Sequence, residues 1–352
     1  MTRPTVFVYT ATLVPRDAVS GQVVQHAAVL QRMGFDAVLV ADGTHEFFNR
    51  PVIDMAEALA RPEPAGWVAH FGVWSRGIEQ LVETARGPRV FVYHNTTPPE
   101  LLPEGPIRTV CREARERLPE ISEGWAGVIG DSGHNLEVLK ASGFPTGETI
   151  PPLIPGGISD AKGERRRDVM TIGRITPSKG LDRAVKAVGI LKQVHDLDVP
   201  LHIVGSDAGW DAYSVGLRRL AERTGAKVGF TGSLSDPKRD DLYAEVGALV
   251  VTSRHEGFCV PLVEAMRAGT PIVAVDVGAI SETLDGGGVL LPTAAPELVA
   301  EAVAAVLQDA ELGRALSDRA RTRAEAFDVD TVAGALKNAF AMAFGAAHVD
   351  AA

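Results

Sequence analysis

The sequence predicts an α/β protein built from two doubly wound parallel sheets. Short β-branched runs alternate with longer helical patterns along the whole chain. The runs are apolar throughout rather than alternating, which is how strands buried on both faces read. A stretch rich in Pro and Gly that then turns charged, IPPLIPGGISDAKGERRRD (150–168), divides the pattern near its middle.

In the first half the strand candidates are 5–10, 36–41, 67–72, 89–95 and 127–132, with helical stretches near 21–33, 51–60, 76–86 and 133–142. In the second half the strands are 168–175, 201–206, 227–232, 248–253, 271–276 and 289–292. After Pro292 the chain reads as helix to its end. Val332, Leu336, Phe340 and Phe344 recur there every four residues, an apolar stripe that must pack on something. The expected division is a first Rossmann-like domain over 1–158, a second over 159–330, and a final helix over 331–352 that packs back on the first.

A chain of 352 residues suits two domains at roughly 150 residues each. Hydrophobic residues are 45% and charged residues 23%, ordinary for a globular protein that buries a real core. The net charge of −10 argues against a broad nucleic-acid surface, which needs clustered Lys and Arg. Two cysteines, Cys111 and Cys259, fit no metal motif and no disulfide framework, so a reducing, cytoplasmic setting is expected. No apolar run approaches the roughly 20 residues that span a bilayer, and the N-terminus reads as a strand rather than a signal peptide. The basic cluster Lys162, Arg165, Arg166 and Arg167 reads as a solvated linker, with peripheral contact to a membrane or an acidic acceptor as the alternative.

In doubly wound sheets ligands bind at the C-terminal ends of the strands, so the loops after the strands are where chemistry is sought. TIGRITPSKG (171–180) closes a strand at Gly173 and then presents Arg174 and Lys179. Two cations there can neutralise a diphosphate, Arg bidentately and Lys as a point charge. Taken alone, the spacing equally describes a loop with two solvated cations. SRHEGFCVPLVEAMRAGTPIVAVD (253–276) follows another strand directly. Pro261 suits the first turn of a short helix over 262–268 and Gly269 its C-terminal cap. The N–H groups of such a helix make an anion site, and Gly257 allows close backbone approach. Glu256 and Glu264 can accept hydrogen bonds from sugar and ribose hydroxyls. As an isolated pair eight residues apart, they are also what chance or helix charge stabilisation produces.

TIGRITPSKG, IVGSD (203–207), GFTGSLSD (229–236), HEGFCVPLVEAMRAGTPIVA (255–274) and GAISE (278–282) occur in that order. Together they resemble the donor domain of the retaining glycosyltransferases of family 4, closely over 165–330 and more loosely before that. The resemblance implies the GT-B fold, two Rossmann-like domains facing across a cleft with a C-terminal helix crossing back to the first. It implies a metal-independent hexosyltransferase with no cofactor beyond its substrate, a UDP- or GDP-linked sugar. The acceptor would be a carbohydrate, a small molecule or another hydroxyl compound.

Carried onto this sequence, the resemblance makes Arg174 and Lys179 holders of the donor diphosphate and Glu256 the partner of the sugar hydroxyls. Gly173, the amides of Gly257, Phe258 and Cys259, and neighbouring Val260 and Leu262 would line the donor, with Glu264 on the ribose and 231–234 against the base. His94 matches a family histidine that faces the donor sugar, and Gly21 sits where the family often has two glycines. Departures are the single glycine at Ser20-Gly21, Gly278-Ala279 in place of two glycines, Cys259 in place of a glycine, and PGGIS (155–159) in place of Asn-Gly. Cys259 reads as a small filler, and His70 and Trp74 as packing or acceptor-side residues. The competing functions are a nucleotide-sugar epimerase, a phosphorylase-like enzyme of the same fold, and a non-catalytic nucleotide-sugar sensor.

Overall fold

The structure is a computed structural model, and it describes residues 3–156 and 165–345. The chain forms two compact units, one made of 1–154 with 329–352 and the other of 155–328.

The first unit runs β1 (Thr5–Leu13), α1 (Ala18–Arg32), β2 (Asp36–Thr44), α2 (Met55–Ala60), β3 (Gly66–Phe71), α3 (Arg76–Thr84) and β4 (Arg89–Tyr93). It continues through α4 (Pro106–Glu116), β5 (Gly127–Gly130), α5 (Gly133–Ala141) and β6 (Glu148–Thr149). All strands pair in parallel in the order β2-β1-β3-β4-β5-β6. Each face of the sheet has its own core. Val6, Val8, Val68, Val90 and Val92 point to one side and Phe7, Tyr9, Trp67, Phe71 and Phe91 to the other, as the two-residue period of a strand requires. The terminal helix Val329–Phe344 covers the valine face. Its Val332, Leu336 and Phe340 are buried there, so the C-terminal helix crosses back to the first domain.

Helix α1 begins three residues before its expected start. Asp17 caps it by accepting from the Ser20 amide, which puts Ser20 and Gly21 inside the first turn rather than ahead of it. Helix α4 lies outside the helical stretches expected from sequence, and buries Cys111 and Ala114. Strand β6 is a two-residue edge with both residues exposed.

The second unit runs β7 (Val169–Ile172), α6 (Leu181–His195), β8 (Leu201–Val204), α7 (Asp211–Thr224), β9 (Val228–Gly232), α8 (Asp236–Glu245) and β10 (Ala248–Val251). It closes with α9 (Val260–Ala268), β11 (Ile272–Val275), α10 (Ile280–Leu284), β12 (Val289–Leu291), α11 (Pro296–Gln308) and α12 (Ala310–Ala324). Its sheet is parallel, in the order β12-β11-β10-β7-β8-β9. The order reverses between β7 and β10. The chain leaves β7 towards β8 on one side and reaches β10 on the other, the kind of reversal at whose strand ends doubly wound sheets bind ligands.

Within the basic cluster, Arg165 departs from the solvated linker expected from sequence. The Arg165 guanidinium donates to the carbonyls of Tyr243, Ala244, Val246 and Ala268, and so satisfies the carbonyl ends of α8 and α9. Arg166 pairs with Asp168 and Glu245, while Arg167 is exposed. Lys162, the expected 158/159 boundary and Gly157 to Ser159 of the PGGIS segment lie outside the described residues. Among the described residues no helix is long and apolar enough to cross a membrane.

Candidate functional site

The two loops at the strand-order reversal of the second unit carry the cations and the carboxylate singled out in the sequence. The loop after β7 holds Gly173, Arg174 and Lys179. The loop after β10 holds Ser253 and Glu256. They are stitched together by backbone chemistry: the Arg254 amide donates to the Ser178 carbonyl at 2.7 Å, and Thr252 Oγ1 donates to the Gly180 carbonyl at 3.0 Å. Gly180 is at φ +61°, and a Cβ there would stand 2.1 Å from the Thr252 carbonyl oxygen, so only glycine lets the loops close.

Lys179 Nζ donates to Glu256 Oε1 at 2.7 Å, and Ser253 Oγ donates to the same oxygen at 2.6 Å. Glu256 is buried and takes no hydrogen bond on Oε2 among the described residues. Burial pulls the Lys179 ammonium down, but the Glu256 carboxylate more than offsets it, and the net effect is a raised pKa. Arg174 is exposed, forms no ion pair among the described residues, and opposes the Lys179 charge. The loops therefore present one uncommitted guanidinium and one ammonium held in place by a buried carboxylate.

Helix α9 starts beside them. No side chain caps its N-terminus, which leaves that end polarised towards an anion. Cys259 occupies the cap position at φ +74°, a left-handed conformation that explains why glycine is the commoner residue there in the family it resembles. Burial pushes the Cys259 thiol well up, so it stays neutral. Phe258 packs edge-on against Phe327 at 5.6 Å, Val260 is half-buried, and Leu262 is fully buried with its amide donated to the Cys259 carbonyl. The Phe258 and Leu262 side chains serve the core, and the Phe258 carbonyl accepts from Thr283 Oγ1 at 2.8 Å. Gly278 explains the other departure. It holds φ +59° against the Glu256 carbonyl, where a Cβ would meet the oxygen at 2.1 Å, while Ala279 sits at φ −88° and needs no glycine.

Glu264, one turn into α9, is buried and held from α8. Tyr243 OH donates to Oε2 at 2.8 Å and the Arg239 guanidinium lies 3.3 Å from Oε1. Burial raises its pKa, and Arg239 and the Tyr243 hydroxyl act against that rise. Ser253, Arg239 and Tyr243 were not singled out from the sequence. Ser253, three residues before Glu256 at a strand end, was the one with a positional signal. In the 231–234 turn Thr231 and Ser233 are exposed.

In the first unit His94 follows β4. Its side chain is 4% exposed, with Nδ1 at 2.7 Å from Asp131 Oδ2 and Nε2 at 2.8 Å from His70 Nδ1. With Nδ1–H given to the carboxylate, Nε2 of a neutral ring accepts from His70. The sequence found His94 but neither partner's role. His26 stacks at an angle on His70 at 4.7 Å and meets Phe340 of the terminal helix edge-on. Burial lowers His26 to about 3 and His70 well below the usual imidazole range. Trp74 is buried beneath the Arg117 guanidinium and donates to Glu79. Gly21 is exposed, and a Cβ there would meet nothing within 4 Å. Among the described residues no group of three or more His, Cys, Asp or Glu is placed to hold a metal ion.

The D-inositol 3-phosphate glycosyltransferase of Streptomyces griseus is 32% identical over 256 residues, which is 67% of this chain and 53% of that protein. The mannosylfructose-phosphate synthase of Agrobacterium fabrum is 29% identical over 34% of this chain and 27% of its own length. The chain spans about half the length, or less, of the curated relatives it matches. Among solved structures, Anabaena HepE in complex with UDP-glucose superposes with a TM-score of 0.79 at 18% identity, covering 96% of this chain and 100% of that one. Sucrose-phosphate synthase from Thermosynechococcus elongatus gives 0.78 at 19% identity, over 98% and 100%. The chain thus has the GT-B fold of two Rossmann-like domains, and its residues 159–323, which contain Arg174, Lys179, Glu256 and Glu264, match the family of glycosyl transferases group 1.

Proposed function

We propose that this protein is a retaining glycosyltransferase that moves a hexose-type sugar from a UDP- or GDP-linked donor to an acceptor hydroxyl. The observation that carries the reading is the convergence of Lys179, Arg174 and Glu256 on the two loops at the strand-order reversal. Arg174 and Lys179 take the diphosphate, in the place a metal ion holds in other transferases, and α9 adds its N-terminal dipole. Charge develops on the leaving phosphate as the glycosidic bond breaks, and preorganised cations there lower the barrier. Glu256, with Oε1 committed to Lys179 and Ser253, offers Oε2 to the sugar hydroxyls. The amides of Gly257, Phe258 and Cys259 line the sugar and phosphate, and Glu264 takes the ribose.

No lone nucleophile is set in these loops, which favours attack from the face the phosphate leaves, with the phosphate oxygen helping to take the acceptor proton. His94 is carried over as the histidine facing the donor sugar on the resemblance alone, since both of its ring nitrogens are engaged, by Asp131 and His70. The names of the relatives support a sugar transfer, and the solved complexes of HepE with UDP and UDP-glucose support a nucleotide-sugar donor.

A thermal-shift screen of UDP- and GDP-linked hexoses, followed by an assay of nucleotide release, tests the reading. A raised Tm with slow donor hydrolysis is expected, since a ligand that binds the folded state stabilises it by mass action. A raised Tm with neither hydrolysis nor transfer across a broad acceptor panel would make the protein a sensor instead.

A further inference from the structure

Glu264 is a buried carboxylate whose hydrogen-bonding capacity is half used. An ionised carboxylate offers about four lone-pair positions. Tyr243 OH takes one on Oε2, and the Arg239 guanidinium approaches Oε1 at 3.3 Å. Both partners stand on α8, four residues apart, and so on one face of that helix. Tyr243 is fully buried, so the phenol has little freedom to follow a moving carboxylate, and its backbone carbonyl is held by Thr270 Oγ1 at 2.6 Å and by Arg165. Arg239 is also held, by Asp240 at 2.9 Å and Asp236 at 3.3 Å. Two acceptor positions are left on a carboxylate fixed from one side.

We propose that Tyr243 is a positioning residue that sets the plane of Glu264 so that its two remaining acceptor positions receive the two hydroxyls of a ribose cis-diol, and that this pair makes the protein selective for ribonucleotide over deoxyribonucleotide donors. The proposal rests on the reading of Glu264 as the ribose residue and extends it to the group that aims it. A vicinal diol supplies the two O–H donors the carboxylate lacks. A deoxy analogue supplies one and leaves an acceptor buried and unpaired, which lowers affinity by about 10-fold. The hydroxyl of Tyr243 touches no ligand in this scheme and acts through Glu264 alone.

The test is calorimetric titration of UDP and GDP, and of the 2′-deoxy and 3′-deoxy forms of whichever binds, into the full chain and into Tyr243→Phe and Glu264→Ala. Tyr243→Phe removes one oxygen and keeps the packing, and a melting curve checks its fold. The wild type is expected to prefer the ribonucleotide by about 10-fold. Glu264→Ala abolishes that preference, and Tyr243→Phe reduces it to within about 3-fold. Equal affinity for ribo and deoxy forms in the wild type, or an undiminished preference in Glu264→Ala, would remove the ribose role of Glu264 and the proposal with it. Loss of preference in Glu264→Ala with full preference in Tyr243→Phe would keep the ribose role and overturn the role of Tyr243.

Discussion

Lys179 Nζ and Glu256 Oε1 lie 2.7 Å apart across 77 residues of chain. The contact joins the loop after β7 to the loop after β10, the two strands between which the sheet order reverses. The pair does two things at once. It keeps a half-buried ammonium charged, and it turns one oxygen of a buried carboxylate inward so that the other is left for a ligand.

The first consequence concerns pH. Glu256 is what keeps the Lys179 pKa raised against the opposing pull of burial. Glu256→Gln removes that support, so Lys179 loses its proton at lower pH. The affinity for a diphosphate nucleotide should then fall away at lower alkaline pH in the variant than in the wild type. Binding isotherms across the alkaline range check this, and superposable profiles would show that Glu256 does not set the charge of Lys179.

Gly278 supports the same site from behind. Gly278→Ala places a Cβ 2.1 Å from the Glu256 carbonyl oxygen at a positive φ. Left-handed strain and overpacking together should cost about 2–4 kcal/mol. Denaturant unfolding measures the loss, and the neighbouring Ala279→Gly serves as the milder control.

Arg165 and Arg167 are two residues apart in one basic run and differ in consequence. Arg165→Ala leaves four backbone carbonyls without their charged donor and should lose about 2–3 kcal/mol. Arg167→Ala, at an exposed position, should stay within about 0.5 kcal/mol of wild type. Equal effects in denaturant unfolding would reduce Arg165 to the solvated linker its sequence suggests.

The imidazoles of the first unit predict acid sensitivity. His26 is lowered to about 3 by burial, well below its ordinary 6.5. Below pH 6.5 the unfolded chain binds a proton that the folded protein refuses until about pH 3. Stability is therefore full above 6.5 and falls with pH at about 1.4 kcal/mol per pH unit for this one group. His26→Phe, which keeps an aromatic ring against Phe340, should reduce the slope of unfolding free energy against pH between 6 and 4 by about one proton. An unchanged slope would show that His26 titrates normally.

Most of the architecture was legible because buried parallel strands are continuous apolar runs. The runs at 5–10, 201–206 and 248–253 each led to a strand. Strand ends read too long where an apolar or small residue continues past the last pairing, as at Thr252 and Ser253, which already belong to the loop that holds Glu256. Helix α4 carries a legible signal, Ile107, Val110, Cys111 and Ala114 at helical spacing, yet was not among the helices expected. The site was legible as far as Lys179, Arg174, Glu256 and Glu264 go, since these lie in contiguous motifs. Their partners were not. Tyr243 and Arg239 are brought to Glu264 by the packing of α8 on α9, and Asp131 reaches His94 from the loop after β5. Such pairings depend on sheet order, which a single sequence does not display. The same holds for the basic run, in which Arg165 resembles its neighbours until the helix ends it bonds are in place.

The most direct test of the central claim is the rate of nucleotide release from the preferred UDP- or GDP-linked sugar by Lys179→Ala and by wild type, under saturating donor. If Lys179 stabilises the charge that develops on the leaving diphosphate, turnover falls by about 100-fold or more in the variant while the fold is retained. Turnover near that of the wild type would contradict the role given to Lys179 and, with it, the site at the strand-order reversal.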